Sequence, residues 1–146
     1  MLSTTIYDEA NKPSASQKHD IVQFLYDNLE QYGDPKQHIQ KAIDYALKEF
    51  ESFGGFTMVL QDGEKIKAAV VVNRTGMGGY IPENILVYIA THKQHRGEGL
   101  GSALVKATIE AAEGDIALHV EANNPAKRLY EKFGFTNPYL EMRLKK

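Results

Sequence analysis

The chain has 146 residues, of which 42% are hydrophobic, and this length suits one globular domain with a buried core. Acidic and basic residues are interspersed and leave a net charge of -2, so the sequence has no basic face of the kind that binds nucleic acid. Cysteine is absent, which excludes disulfides, thiolate metal ligands and a cysteine nucleophile. Residues 1–10 lack a signal-peptide pattern and no apolar run approaches membrane-spanning length, so we predict a cytoplasmic protein without a membrane partner.

The N-terminal third is predicted to form one strand and two helices. Thr4–Tyr7 favours a strand, and Ser14 with Gln17 has the spacing of a capping box, which marks the start of a helix. Asp34 and Pro35 are typical of the N-cap and the first position of a second helix. Apolar side chains recur at helical spacing on one face of each helix, and we interpret them as core: Ile21, Phe24, Leu25 and Leu29, then Ile39, Ala42, Ile43, Ala46, Leu47 and Phe50.

The remaining elements alternate between strands and helices. Asp62 and Gly63 form a hairpin signal, and a glycine-rich loop follows at Arg74–Pro82. The predicted strands are Phe56–Leu60, Ile66–Asn73, Asn84–Ala90, Asp115–Val120, Phe135–Asn137 and Tyr139–Leu144, and the predicted helices are Ser102–Ala112 and Pro125–Phe133. The central order of strand, helix and strand implies a right-handed crossover between parallel neighbours. The sequence therefore predicts an α/β (α+β) fold with a mixed central sheet and helices on both faces.

The most informative segment lies between the strand Asn84–Ala90 and the helix that follows it. Glycine at Gly97, Gly99 and Gly101 removes every second side chain where that helix begins. The amide hydrogens of a first helical turn have no partner within the helix, and the helix dipole favours an anion beside them. Glycines that only form a tight turn would produce the same pattern. As a ligand site, the segment fits a diphosphate best.

Two common phosphate-binding loops do not match this segment. A P-loop has a lysine before its Ser or Thr, whereas Ser102 directly follows Gly101 here. A dinucleotide-binding loop has the pattern Gly-x-Gly-x-x-Gly directly after a strand, whereas the polar residues 91–96 intervene here.

A third kind of loop does match. Arg96-Gly97-Glu98-Gly99-Leu100-Gly101 resembles the acyl-CoA pyrophosphate loop of the GNAT superfamily of N-acetyltransferases, whose pattern is Arg/Gln-Gly-x-Gly-x-Gly/Ala. Residues 123–135 resemble the second signature of that family, Asn-x-x-Ala-x-x-x-Tyr-x-x-x-Gly-Phe. The two motifs stand in the family's order, and the resemblance extends from Ile85 to Phe135. It implies one N-acetyltransferase domain over residues 1–146, in which two parallel strands splay apart around acetyl-CoA. A homodimer is compatible with it.

The resemblance also implies which residues bind acetyl-CoA. We predict no metal, because His92 and His95 have a suitable spacing but no third ligand is in view. Backbone amides of the loop hold the pyrophosphate, from Arg96, Gly97, Glu98, Gly99, Leu100, Gly101 and Ser102. The end of the preceding strand pairs with the pantetheine arm as an added strand would, through Ile89, Ala90 and Thr91. Asn123 and Lys127 flank the far side of the cofactor.

Tyr130 is the candidate general acid. The family's tyrosine at this motif position protonates or hydrogen-bonds the thiolate that leaves the thioester. A phenol is neutral at pH 7 and can serve in this way. Without the motif, Tyr130 would be interpreted as an ordinary aromatic residue on the inner face of its helix.

The general base is less well defined by the sequence. The histone-acetylating branch of the family has a glutamate on the strand Asn84–Ala90, and the aligned residue here is Ile85. Glu83 lies two residues earlier, on the same face of that strand, and is our candidate base, acting through a water. Histidine titrates nearest to neutral pH, so His92, His95 and His119 are further candidates. A chain of waters without a single base is the remaining alternative.

We therefore predict an N-acetyltransferase that moves an acetyl group from acetyl-CoA directly to a primary amine of a small molecule or a peptide. The absence of a cysteine that could carry an acyl intermediate supports direct transfer. The acceptor site is expected at Gln31–Asp34, Arg74–Pro82 and Asn137–Tyr139. One alternative is a non-catalytic acyl-CoA sensor or scaffold. Another is a nucleotide-phosphate hydrolase, which the missing loop lysine disfavours.

Overall fold

The computed structural model describes residues 1–146 and has a five-stranded sheet at its centre, with the strands in sequence order. The strands are β1 (Leu2–Tyr7), β2 (Gly55–Asp62), β3 (Lys65–Arg74), β4 (Asn84–Thr91) and β5 (Ile116–Leu118). Each of the first four pairs antiparallel with its neighbour, whereas β5 runs parallel to β4. The helices are α1 (Ala15–Leu29), α2 (Lys36–Leu47), α3 (Leu100–Ala111) and α4 (Ala126–Lys132), with 3₁₀ turns at Glu30–Tyr32 and Lys93–His95.

Helices cover both faces of the sheet, which confirms the predicted mixed architecture. The helices α1 and α2 bury Leu25, Ile39 and Ile43 against the side chains of β2 and β3 that point to one face. On the other face, α3 buries Leu100 and Leu104 against the alternate side chains of the same strands. Because successive side chains of a strand point to opposite faces, the valine-rich β3 supplies both layers.

The first two helices begin by different means. The capping box at α1 is confirmed, since the Gln17 amide donates to Ser14 Oγ at 3.1 Å and the Ser14 amide donates to Gln17 Oε1 at 2.8 Å. The prediction that Asp34 caps α2 is wrong, because Pro35 is the N-cap and no side chain caps the helix. The Asp34 carboxylate instead accepts a hydrogen bond from the Tyr88 hydroxyl of β4 at 2.5 Å.

The contact between β4 and β5 is short and asymmetric. The two strands pair only from Asn84 to Leu86 and from Ile116 to Leu118. Beyond Leu86, β4 continues to Thr91 with β3 on one side and no strand on the other. A β-bulge at Val87 marks the point of separation, because Val71 pairs with Tyr88 and Val72 pairs with Leu86. The half of β4 after the bulge is therefore an open sheet edge.

Four predicted elements differ from the structure, two in their bounds and two because they do not form. The second helix ends at Leu47, where Lys48 takes a left-handed conformation (φ 56°), so Phe50 lies outside the helix and is exposed. The strand predicted at Asp115–Val120 forms only at Ile116–Leu118. The strands predicted at Phe135–Asn137 and Tyr139–Leu144 do not form. An alternating apolar pattern needs a neighbouring strand to pair with, and nothing pairs with residues 135–144.

None of the helices combines the length and the apolar character that crossing a bilayer requires.

Truncation of a buried side chain of α3 should destabilise the protein. Leu104 is fully buried between α3 and the sheet, so we expect Leu104→Ala to lower the free energy of unfolding by about 2–5 kcal/mol. Ile109 lies on the same helix with 39% of its surface exposed, and Ile109→Ala should cost about 1 kcal/mol or less. Urea denaturation of the two variants measures both values. Equal losses would contradict the assignment of this helix face to the core.

Candidate active site

The bulge at Val87 decides which backbone groups of β4 face the open edge. Before it, the Asn84 amide donates to the Asp115 carbonyl at 3.0 Å, toward β5. After it, the His92 amide donates to the Lys67 carbonyl at 2.8 Å, toward β3. Backbone groups alternate in direction along a strand, so Ala90 also faces β3, whereas the N–H groups of Ile89 and Thr91 point to the open edge. Ala90 therefore cannot pair with a cofactor through its backbone in this register.

The loop after β4 presents a row of free amides. The first helical bond of α3 runs from the Ala103 amide to the Gly99 carbonyl at 3.0 Å, and Gly99 is the N-cap without a side-chain cap. The consecutive amides of residues 98–102 donate to no oxygen of the chain. These N–H groups and the positive end of the α3 dipole would favour an anion beside the loop.

The three glycines of this loop serve two different purposes. Gly97 and Gly99 have φ of 85° and 81°, values that favour glycine, and a Cβ on either would meet no heavy atom within 4 Å. Their missing side chains leave the space above the amides open. A Cβ on Gly101 would instead lie 3.2 Å from Leu129 Cδ2 and 3.7 Å from Thr91 Cγ2. Gly101 therefore allows α4 to approach the start of α3 and the end of β4.

Tyr130 lies on α4, next to the residue that contacts Gly101. Its side chain is buried and its ring packs edge-on against Phe135, with the centroids 5.9 Å apart. The Tyr130 hydroxyl has no hydrogen-bond partner in the chain. The one fully buried side-chain polar atom without a partner is Thr57 Oγ1, so the Tyr130 hydroxyl keeps some access to solvent. Burial raises the pKa of Tyr130 from 10.0 to about 12, so the phenol is protonated at neutral pH.

Asn123 lies just before α4 and Lys127 lies on it, and each already makes one contact within the chain. The Asn123 carbonyl accepts a hydrogen bond from the Tyr32 hydroxyl at 3.4 Å, which brings the segment before α4 to the α1–α2 junction. The Lys127 ammonium pairs with Glu131 one turn along α4, at 3.2 Å. The Asn123 side chain makes no hydrogen bond within the chain.

Glu83 lies at the opposite end of β4 from the loop that carries Gly97, Gly99 and Gly101, which we call the glycine loop. Its Oε1 accepts a hydrogen bond from the Asp115 amide at 2.8 Å, and its carboxylate lies against Gly114. The Asp115 N–H holds the pKa of Glu83 below its usual value, which weakens the carboxylate as a base. The catalytic role of Glu83 stays a prediction, and the contacts of its carboxylate fit a link between β4 and β5.

The histidines after β4 are packed against other side chains. The His95 ring lies between Lys67 Nζ at 3.0 Å and Glu98 Oε2 at 3.1 Å, while His92 packs near Phe24 of α1. Burial, and then the neighbouring His95, lower the pKa of His92. No three His, Cys, Asp or Glu side chains are placed to hold a metal ion together.

Sequence reasoning missed the residues that join α1 to the glycine loop. Asn28 is buried, and its Oδ1 accepts a hydrogen bond from the Lys93 amide at 2.9 Å. The Arg96 guanidinium donates to Glu30 Oε1 and to the Asn28 carbonyl, both at 2.9 Å. The signal in the sequence was Asn28 itself, a polar residue one helical turn after Phe24 on the apolar face of α1.

A groove opens at the α1–α2 junction on the other side of Glu30. Its lining residues carry three carboxylates and one phenol: Tyr26, Asp27, Glu30, Gly33, Asp34 and Pro35. The Asp34 carboxylate connects the groove to Tyr88 on the open half of β4. A groove with this charge favours a cationic ligand.

The family of the chain is shown by its match to a family model. Residues 53–137, which are more than half of the chain, match the model described as an acetyltransferase (GNAT) domain. The chain belongs to the GNAT acetyltransferase family. This GNAT chain carries the open edge of β4, the free amides of the loop and the buried Tyr130 within the matched residues.

Solved structures share the GNAT fold over the whole chain. A ribosomal-protein-alanine N-acetyltransferase from Brucella melitensis biovar Abortus 2308 superimposes with a TM-score of 0.69 at 12% identity, covering 100% of this chain and 99% of that one. A probable acetyltransferase from meticillin-resistant Staphylococcus aureus superimposes with a TM-score of 0.66 at 23% identity, covering 100% of both chains. At these identities the likeness shows the fold alone.

A curated relative matches over a shorter stretch. Cysteine-rich protein 2-binding protein of Mus musculus is 37% identical over 54 residues, which are 36% of this chain and 7% of that protein. The GNAT chain therefore aligns with a small part of that relative's length.

The raised pKa of Tyr130 can be measured. Burial favours the neutral phenol of Tyr130. The free energy of unfolding is therefore unaffected by this group below pH 10.0 and falls as the pH rises from there toward about 12. We expect the difference between the ultraviolet phenolate titrations of the wild type and Tyr130→Phe to have its midpoint near pH 12. Circular dichroism at each pH checks that both proteins remain folded. A midpoint at the ordinary value of 10.0 would show that the ring is not desolvated.

Proposed function

We propose that this GNAT protein transfers an acetyl group from acetyl-CoA directly to a primary amine of a small molecule or a peptide. The observation that carries the proposal is the meeting of three features at Gly101: the open edge of β4, the free amides that begin α3, and α4 with Tyr130. The GNAT family uses acetyl-CoA. An anion-binding loop beside an unpaired strand edge and a protonated phenol suits that cosubstrate.

The residues present fit acetyl-CoA as follows. The amides of residues 98–102 would bind the diphosphate, and the glycines would keep side chains out of its way. The N–H groups of Ile89 and Thr91 would pair with the amide groups of the pantetheine arm, as an added strand does. The free side chain of Asn123 would hydrogen-bond the same arm from the opposite side. Bound acetyl-CoA supplies the acetyl group as a thioester.

The proposed reaction is a direct displacement. The amine nitrogen forms a bond to the acetyl carbon, the carbon–sulfur bond breaks, and the amine loses one proton. Tyr130 donates a proton or a hydrogen bond to the departing thiolate, and its protonated state at neutral pH suits that role. The proton lost by the amine passes to water or to a base, for which Glu83 stays the candidate despite its lowered pKa.

The acceptor side of the proposal rests on charge. The groove at the α1–α2 junction has carboxylates at Asp27, Glu30 and Asp34, and it adjoins the open half of β4 through Tyr88. A cationic primary amine suits this groove, whether on a small molecule or at a peptide N-terminus. A structural neighbour acts on an alanine of a ribosomal protein, so a peptide N-terminus belongs in the acceptor panel.

Loss of the Tyr130 hydroxyl should affect turnover more than cofactor binding. We expect Tyr130→Phe to lower the turnover number by roughly 10²-fold or more, the scale of one general acid, with acetyl-CoA affinity nearly unchanged. Steady-state kinetics and calorimetry measure the two quantities. Wild-type turnover in Tyr130→Phe would mean that the thiolate leaves without this phenol.

A side chain in the glycine loop should block acetyl-CoA. We expect Gly99→Glu to abolish binding in calorimetry, because bulk and negative charge enter the space above the amides. Gly63→Glu is the matched control, since Gly63 also has positive φ (62°) and open space around it but lies in the β2–β3 hairpin. Similar losses in both variants would trace the effect to general destabilisation and would contradict the loop assignment.

The proposal as a whole is tested by thiol release. Free CoA thiol should appear when acetyl-CoA is mixed with the right member of a panel of polyamines, amino acids, aminoglycosides, arylamines and peptides. Release with one class would name the acceptor. Tight acetyl-CoA binding without release across the panel would favour a non-catalytic acyl-CoA-binding protein instead.

A further inference from the structure

The glycine loop is held to the rest of the chain by side chains, and several of these contacts come from the end of α1. Between the last residue of β4 and the first bond of α3, residues 96–99 form no helix and no strand. Their amides make no bond that would fix the loop to the sheet. Side chains hold the loop instead: Asn28 and Glu30 at the end of α1 bond to Lys93 and Arg96, and on the other side the His95 ring links Glu98 to Lys67 of β3. The position of the free amides therefore depends on α1 as well as on the link to β3.

Arg96 makes the first of these attachments with both arms of its guanidinium. Nη1 donates to Glu30 Oε1 and Nη2 donates to the Asn28 carbonyl, each at 2.9 Å. The planar guanidinium holds two N–H donors in a fixed geometry that fits these two acceptors, whereas the ammonium of a lysine is a single point charge. The Asn28 carbonyl belongs to the last turn of α1, whose carbonyls lack helical partners, so Arg96 also completes the C-terminus of that helix.

Asn28 makes the second attachment from a buried position. Its Nδ2 donates to the Phe24 carbonyl at 2.8 Å, which fixes the side chain against α1. Its Oδ1 then accepts the Lys93 amide at 2.9 Å. Both polar atoms of the buried amide are thus used, one on the helix and one on the segment that leads into the glycine loop.

Glu30 is held in a backbone conformation that glycine adopts more easily. It ends α1 with φ 55° and ψ -128°, and only one other non-glycine residue of the chain, Lys48, has positive φ. A glycine would remove this strain. The backbone therefore does not favour glutamate at this position, and the contribution of Glu30 is the hydrogen bond that its carboxylate accepts from Arg96.

Building on the proposed function, we infer that Glu30 and Asn28 are positioning residues for acetyl-CoA, acting through Arg96 and Lys93 to hold the loop amides in a binding arrangement. Glu30 also lines the acidic groove, so one residue borders both the cofactor loop and the candidate acceptor site. Neither residue needs to touch the cofactor in this role.

Electrostatics and positioning predict opposite effects for Glu30. Removing a negative charge near an anion-binding loop would tighten acetyl-CoA binding if charge alone mattered. Removing the partner of Arg96 would loosen binding if Glu30 positions the loop. The sign of the change therefore separates the two roles.

The test is isothermal calorimetry with acetyl-CoA on the full chain. We expect Glu30→Gly to raise the Kd by about threefold to tenfold, the range for losing a charge-assisted bond at a partly exposed site. Glycine fits the conformation at this position, so the variant should remain folded. Arg96→Lys should raise the Kd similarly although it keeps the charge, and the double variant Glu30→Gly, Arg96→Lys should lose little more than either single one.

Two control variants match the changes made at Glu30. Asp27→Asn removes one carboxylate from the same groove and has no contact with the loop. Lys48→Gly relieves the same kind of backbone strain at the end of α2. Both should leave the Kd within about twofold of the wild-type value, since the bonds of Asp27 to Gln23 and of Lys48 to Glu9 do not involve the glycine loop.

The outcomes are distinguishable from failure of the proposed function. A wild-type protein that does not bind acetyl-CoA would overturn the proposed function and this inference together. Wild-type binding combined with an unchanged or lower Kd in Glu30→Gly would overturn the inference alone. A higher Kd in Glu30→Gly with both controls unchanged would support it.

Discussion

The one-residue bulge at Val87 is the constraint on which the site depends. Before the bulge, the amides at even-numbered positions of β4 face β5. After the bulge, the amides at odd-numbered positions face that edge of the strand, where β5 is no longer paired. The bulge thereby coincides with the loss of β5 as a partner, and the freed edge carries the N–H groups of Ile89 and Thr91. A straight β4 would direct Tyr88 and Ala90 to that edge instead. In a straight strand the side chains after position 87 would also point to the opposite face of the sheet, and Tyr88 would lose its hydrogen bond to Asp34.

Opening a sheet edge and starting a helix at the same place leaves many backbone groups without partners, and such groups are usually satisfied by the fold. Here the fold supplies rigid borders instead of partners. Gly101 lets α4 lie close to β4 and α3, while Asn28, Glu30 and Arg96 fasten the loop to α1. The free amides are then exposed but held between fixed elements, which reduces the ordering that a ligand would otherwise impose.

Local signals in the sequence predicted much of the fold. The capping box at Ser14, the hairpin at Asp62–Gly63 and the core face of α1 and α2 all depend on neighbours within a few residues, and they were confirmed. The closing strands at residues 135–144 were wrong because alternation describes a strand only when another strand pairs with it. Asp34 failed as a cap because Tyr88, distant in sequence, takes its carboxylate. Motif resemblance located the loop and Tyr130, but no local pattern could reveal that Arg96 reaches back to Glu30.

The partner of Arg96 changes the view of how the loop would hold a diphosphate. Its guanidinium is paired with a carboxylate and a carbonyl, so the nearest arginine offers little free positive charge to an anion. Attraction then has to come from oriented amides and the dipole of α3, which act over short distances and depend on geometry. Affinity in such a site depends on holding the amides in place. If the loop binds a diphosphate as proposed, α1 would therefore affect the affinity through the contacts of Asn28 and Glu30 with the loop segment.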